Sequence, residues 1–297
     1  MTNIHRLSPP RGIDHLVIAG HDLSALAELY RRLGFTVGRR NQHPWGTENH
    51  IVQFPGCFLE LIGIGDASLI PERSGRNYSF GGFLRDFLAG DEGMAMLVLE
   101  SRNAVGDAEE FRKNRIGHFE PFFFERQGQR ADGTTARVAF TLAFAEAQGM
   151  PRAGFFACQQ HEPQNFWNPA AQQHANGVAG IERVTMVADD PSDLHEFLGT
   201  FIGQREMRAT SFGIELDTGR GLVEVLTREA FRFRFGADPQ VDRRKGPQFA
   251  AITFRTPDLD RTFYALSAVH LPFGRLGGKL VFSALNTHGV VIAFSAD

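Results

Sequence analysis

One histidine and one glutamate stand inside two short apolar runs near the start of this chain: His15 in Gly12-Ile13-Asp14-His15-Leu16-Val17-Ile18, and Glu60 in Cys57-Phe58-Leu59-Glu60-Leu61-Ile62. Each run reads as a buried strand, where a titratable side chain is costly unless it is paired or bound to a cation. Imidazole is a ligand for Zn, Fe, Ni and similar ions, although a backbone carbonyl would also satisfy a core histidine. The carboxylate needs a countercharge, which a cation or an arginine could supply. Two such residues in one small unit define a candidate site.

The elements that must position them follow from the same stretch. Leu23 to Phe35 (LSALAELYRRLGF) is an amphipathic helix ended by Gly34, and His50 to Phe54 and Cys57 to Ile62 are two further strands, giving a β-α-β-β-β unit over residues 12–64. The unit recurs. Gly180-Ile181-Glu182-Arg183-Val184 parallels the first strand, Asp190 to Phe197 the helix start, and Gly221 to Leu226 the strand carrying Glu60. Each half carries a second, more diverged copy. In the first, Met94 to Leu99, a helical stretch at Asp107 to Asn114, His118 to Arg126, Thr134 to Glu146 and Arg152 to His161 follow in turn, with a turn at Ala131-Asp132-Gly133. In the second half, Phe249 to Phe254, Asp258 to Val269, Lys279 to Leu285 and Val290 to Ser295 play those parts.

The expected fold is therefore α+β, with four βαβββ modules (12–64, 93–162, 178–228 and 247–297) paired to bury their apolar faces. The expected domains are 10–165 and 178–297, joined by a turn-rich linker at 166–177.

Composition narrows the function classes. The 297 residues carry a net charge of −3 with no basic stripe, so nucleic acid is not an expected partner. No window approaches the ~18 consecutive apolar residues of a membrane span, and the start MTNIHRLSPPRG has no leader-like apolar core; a cytoplasmic protein with no membrane contact is expected. The two cysteines, Cys57 and Cys158, sit among apolar neighbours and read as buried free thiols. Phenylalanine is abundant, at 28 residues against 3 tyrosines and 2 tryptophans, which suits a core or a ligand cavity walled by rings without polar handles.

Asp14-His15, the helix Ala27-Glu28-Leu29-Tyr30-Arg31-Arg32-Leu33-Gly34-Phe35 and Leu59-Glu60-Leu61 together resemble the vicinal oxygen chelate superfamily. His43-Pro44, Gly46-Thr47, Asn49, Glu60-Leu61-Ile62 and Gln160-His161-Glu162-Pro163 followed by Trp167 resemble its glyoxalase-like branch. The resemblance implies that paired modules form an incomplete barrel of mixed sheets with helices outside. It also implies one divalent metal (Fe, Mn, Zn, Ni or Co) bound from first and fourth strands and binding adjacent oxygens of a small-molecule substrate. His15 and Glu60 stand at such positions. The second module has Met94-Ala95-Met96 where a first-strand histidine is usual, and His161, at the end of its last strand, is the replacement ligand. On a regular strand His161 shares a face with Phe155 and Gln159. His43, Trp45, Asn49, His50, Phe155 and Gln159 are expected around the substrate.

In the second half Arg183 replaces the histidine while Glu224 keeps the carboxylate, so an Arg183–Glu224 ion pair is expected in place of metal. The implied activity is that of a metal-dependent isomerase or lyase, its base unassigned. A ring-cleaving dioxygenase and a metal-free small-molecule-binding protein are the alternatives, and a homodimer is a candidate assembly. No glycine-rich nucleotide loop and no Gly-x-Ser-x-Gly elbow is present.

Overall fold

The computed structural model describes residues 9–129 and 133–296. The turn read at Ala131-Asp132 and the first eight residues of the chain lie outside them. The first module is β1 (Ile13–Ala19), α1 (Leu23–Arg32), β2 (Asn41–Gln42), β3 (Thr47–Phe54) and β4 (Cys57–Ile64), followed by α2 (Phe80–Leu88). The second is β5 (Gly93–Glu100), α3 (Ala104–Lys113), β6 (Phe122–Gln129), β7 (Thr135–Ala145) and β8 (Gly154–Gln160). The third is β9 (Gly180–Val187), α4 (His195–Ile202), β10 (Arg208–Thr210), β11 (Gly213–Asp217) and β12 (Leu222–Leu226), followed by α5 (Arg228–Phe235). The fourth is β13 (Gln248–Thr256), α6 (Leu259–Ser267), β14 (Phe273–Leu276), β15 (Lys279–Phe282) and β16 (Val291–Ala296).

Every module has the same internal order, with its first strand beside its fourth. β1 and β4 run parallel, so the chain must cross over between them, and α1 begins that crossover. The Asp22 carboxylate caps the helix by accepting the N–H groups of Ser24 and Ala25, and Gly34, at φ +84°, ends it in a conformation that suits glycine. Modules then join through their first strands, β1 antiparallel to β5 and β9 to β13. The results are two eight-stranded mixed sheets, β2-β3-β4-β1-β5-β8-β7-β6 and β10-β11-β12-β9-β13-β16-β15-β14.

Strand alternation gives each sheet two working faces. On the first sheet Leu16 and Ile18 of β1 and Leu59 and Leu61 of β4 pack with residues of α1, α3, α4 and α6 into one core shared by both halves of the chain. Phe35 lies 5.0 Å from Phe254 in that core, and Phe155 lies 5.5 Å from Phe249. The opposite faces curl into separate cups. Val17, Ala19, Val98 and Phe156 line the first with Phe80, Leu84 and Phe87 of α2, and Ala230, Phe231 and Phe235 of α5 fill the second.

Two further helices, α2 and α5, which the sequence pattern did not indicate, pack on the cup faces. Their sequences, FGGFLRDFL and REAFRFRF, are too short for a periodic signal, and the first opens on two glycines that disfavour isolated helix. Among the described residues no helix is long and apolar enough to cross a membrane.

Phe254 is fully buried, with Phe35, Phe54 and Phe294 all within 6 Å, so it joins the halves through one core. Phe254→Ala should lower the unfolding free energy by about 3–5 kcal/mol in urea titration. A loss below about 1 kcal/mol would contradict a shared core.

Candidate functional site

β1 and β4 set the pair. Val17 faces Glu60 across the ladder and His15 faces Phe58, so His15 and Glu60 lie two residues apart on one face of adjacent strands, both turned into the first cup. The imidazole stacks on Phe58 at 4.2 Å and meets the edge of Phe156 at 5.5 Å. His15 is 5% exposed and Glu60 7%. A register shift between Ile13 and His15 against β5 leaves Asp14 as an extra residue. Such a bulge frees a side chain from strict alternation, and Asp14 Oδ1 comes to 2.5 Å from His15 Nδ1 while its Oδ2 accepts a hydrogen bond from Gln160 Nε2 at 2.8 Å.

A carboxylate on Nδ1 assigns the proton to that nitrogen and leaves the Nε2 lone pair facing inward, the arrangement usual around metal-ligating histidines. His15 Nε2 lies 3.8 Å from Glu60 Oε2, too far for a hydrogen bond. The other carboxylate oxygen, Oε1, accepts a hydrogen bond from Asn49 Nδ2 at 2.5 Å, and Asn41 in turn donates to Asn49 Oδ1 at 3.0 Å. Glu60 is thereby fixed with one oxygen turned toward His15.

His43, in the turn between β2 and β3, lies with Nε2 3.9 Å from Glu60 Oε1 and 3.3 Å from Asn49 Nδ2, while Nδ1 is 2.8 Å from Thr47 Oγ1. One assignment satisfies every group: Nδ1–H donates to Thr47, and Nε2 accepts from Asn49. Burial holds the His43 pKa below the ordinary histidine value; nearby Arg126 adds to the shift and Glu60 opposes it. Trp45 stacks on His43 at 4.7 Å and, with Phe80, Phe124, Phe140 and Phe166, completes an aromatic wall. The space these residues line is about 60 Å³.

The structure does not bring together all the expected residues. On β8 it is Phe156, Cys158 and Gln160 that face the cup; Phe155 packs behind the sheet on Phe197 and Phe201, and Gln159 Oε1 accepts the N–H of Ala104 at the start of α3. His161 shares that rear face, is exposed, and lies 2.8 Å from Thr141 Oγ1, so it is not a ligand beside His15 and Glu60. His50 likewise points away, its Nδ1 donating to Gly38 O at 2.7 Å, whereas Asn49 and Ile51 line the cup. The residues missed from sequence are Asp14, Gln160 and Arg126 and the rings of Phe58, Phe124 and Phe156. Burial pushes the Cys158 thiol well above its usual pKa, so it is no nucleophile at neutral pH.

A divalent ion fits the pair in donor type and orientation. An imidazole nitrogen and a carboxylate oxygen 3.8 Å apart are within the span of two ligands that each approach one ion at ~2.1 Å. The number of donors is two, because among the described residues no group of three or more His, Cys, Asp and Glu side chains is placed to hold an ion.

The second cup shows the same strand positions closed by protein. Arg183 Nη1 lies 3.1 Å from Glu224 Oε1, Arg234 Nη2 2.7 Å from the same oxygen, and Thr185 Oγ1 donates to Oε2 at 3.0 Å. Glu215 pairs with Arg183 as well.

A glyoxalase-like domain model matches residues 13–202, more than half of the chain. The chain belongs to this glyoxalase-like family of the vicinal oxygen chelate superfamily. Comparison with curated proteins finds no match. Among solved structures, a hypothetical protein from Staphylococcus aureus is similar at TM-score 0.67 and 10% identity, over 96% of this chain and 99% of its own. A mutant of 4-hydroxymandelate synthase from Streptomyces coelicolor is similar at TM-score 0.58 and 12% identity, over 97% and 93%. A xylose isomerase-like TIM barrel/4-hydroxyphenylpyruvate dioxygenase fusion protein is similar at TM-score 0.53 and 11% identity, over 100% of this chain and 51% of its own. At these identities the likeness of the glyoxalase-like chain to the three is one of fold.

His174, between the halves, has its pKa lowered by burial, as His43 does. Unfolded histidine titrates near pH 6.5, so just below that value the unfolded chain binds more protons than the native one and stability falls as pH falls. Urea midpoints at pH 7 and 5.5 should therefore drop less on acidification in a His43→Gln/His174→Gln double variant than in the parent. An equal or larger drop would contradict buried neutral histidines.

Proposed function

We propose that this glyoxalase-like protein is an enzyme acting on a small oxygenated substrate in its first cup, with one divalent cation held between His15 and Glu60. The observation that carries the reading is the inward lone pair of His15 Nε2 facing Glu60 Oε2 at 3.8 Å with no hydrogen bond between them. Bound there, a divalent ion supplies Lewis acidity toward adjacent oxygens of the substrate. The side chains do the rest of the preparation. Asp14 retains the Nδ1 proton and orients the ring, Asn49 holds Glu60 Oε1, and the aromatic wall excludes water so that charge at this pole is felt strongly. With two protein ligands, more positions stay open to substrate and water than in a closed structural site.

Isomerase or lyase chemistry is favoured over ring-cleaving dioxygenase chemistry by the ligand inventory. The two-histidine, one-carboxylate set of many iron oxygenases needs a second histidine; His161 lies behind the sheet and the Nε2 of His43 is engaged by Asn49. The likeness in fold to a dioxygenase fusion protein supports the alternative, and oxygen uptake with a catechol panel and ferrous iron separates the two. The metal-free reading, a binding cup alone, predicts no cation stoichiometry.

Dialysis against Mn, Fe, Co, Ni or Zn followed by metal analysis should return about one ion per chain for at least one metal, with His15→Ala and Glu60→Ala both losing it. Asp14→Asn should weaken that binding by ~10–100-fold in calorimetric titration. Failure of every metal to bind, or binding indifferent to His15 and Glu60, would sink the metal reading.

A further inference from the structure

Arg126, on β6, lines the first cup, two residues from Phe124 on the same face. Its situation differs from that of other buried or half-buried arginines in the chain. Arg183 meets Glu224 and Glu215, and Arg11 meets Asp107 and Glu110. Arg152 donates to the carbonyls of Phe87 and Asp91, and Arg228 to those of Pro239 and Val241. Arg126 has one marginal donation, 3.5 Å to the Gln127 carbonyl, and among the described residues no carboxylate lies within ion-pair distance. Burial disfavours its charge and Glu60, acting through space, partly offsets this.

A guanidinium presents five N–H donors in a planar fork that matches a carboxylate. The neighbouring Trp45 Nε1 is a second buried donor without an acceptor. Gln160 Oε1, on β8 across the cup, is a buried acceptor without a donor, but on this wall Arg126 and Trp45 Nε1 are both donors, so a ligand that meets them brings acceptor oxygens and negative charge. Glu60 in the same cup makes a dianion less favourable than a monoanion. Size follows from the cavity: at ~10–15 Å³ per water, about 60 Å³ has room for roughly four to six waters, the volume of a ligand of about eight to ten non-hydrogen atoms. The remaining walls are mostly rings, with Ile51, Leu142 and Cys158 between them.

We propose that the cup selects small carboxylic acids with a single-ring apolar body, and that Arg126 receives the carboxylate. The proposal rests on the first cup being the substrate site and assigns the substrate class of that site. Arg126 is on this account a specificity residue, the guanidinium anchoring one end of the ligand while its other groups approach His15 and Glu60.

The test is binding of benzoate and phenylacetate against their neutral amides, followed by tryptophan fluorescence and calorimetry in the presence of EDTA, so that no cation contributes to preference for the acid. The parent protein should bind each acid at least ~10-fold more tightly than its amide, as a charge-assisted pair requires. Arg126→Met should abolish that preference while amide binding persists, which also reports an intact cup, and Arg126→Lys should restore part of it. Equal binding of acids and amides by the parent, or a preference retained in Arg126→Met, overturns the proposal and leaves the cup as a binding site. Binding of neither class overturns the proposal and the cup reading together.

Discussion

A carboxylate buried on the last strand of a module must be answered by charge or hydrogen bonds, because its desolvation is otherwise prohibitive. Glu60 and Glu224 occupy equivalent places in the two halves and are answered differently. Glu224 is closed off by Arg183, Arg234 and Thr185, all within about 3 Å, and that cup is filled from inside by α5. Glu60 receives one amide from Asn49, and its second oxygen faces a histidine lone pair. The first arrangement is complete as protein alone; the second leaves one carboxylate oxygen 3.8 Å from His15 Nε2 with no hydrogen bond between them.

The backbone device that makes this possible appears in both halves. A bulge puts an acidic residue beside the first-strand position, Asp14 beside His15 and Glu182 beside Arg183, and the last strand of the neighbouring module reaches over to it through Gln160 or Ser295. Where the first-strand residue is histidine, the neighbouring acid orders a tautomer. Where it is arginine, the acid adds to an ion-pair network with Glu182, Glu215 and Glu224. The same strand positions thus carry a histidine–glutamate pair with no hydrogen bond in one half and, in the other, an ion-pair network closed by Arg183, Arg234, Glu215 and Thr185.

Much of the fold was legible because helix and strand periods repeat four times, and the rarity of ionisable residues inside apolar strands singled out His15 and Glu60. Face assignment on β8 was not legible. Alternation says that Phe155, Gln159 and His161 share a face, which they do, but both faces of that strand are apolar: Phe155 and Phe156 are each about 2% exposed or less. Period alone could not say which face is the cup. The same one-residue ambiguity separated Asn49 from His50. Arg126 gave no signal, since an arginine near the end of a hairpin strand is ordinarily solvated. It became informative only when the packing of β6 over the cup left it without a carboxylate.

Whether the gap between His15 Nε2 and Glu60 Oε2 is a cation site decides between an open chemical cup and a merely unfilled one. Crystals of the protein soaked in cobalt or manganese and measured at the metal's absorption edge address this directly. One strong anomalous peak within ligand distance of both atoms, and none beside Glu224, is the expected result. A map without a peak between His15 and Glu60, or with its principal peak elsewhere, would rule the cation site out.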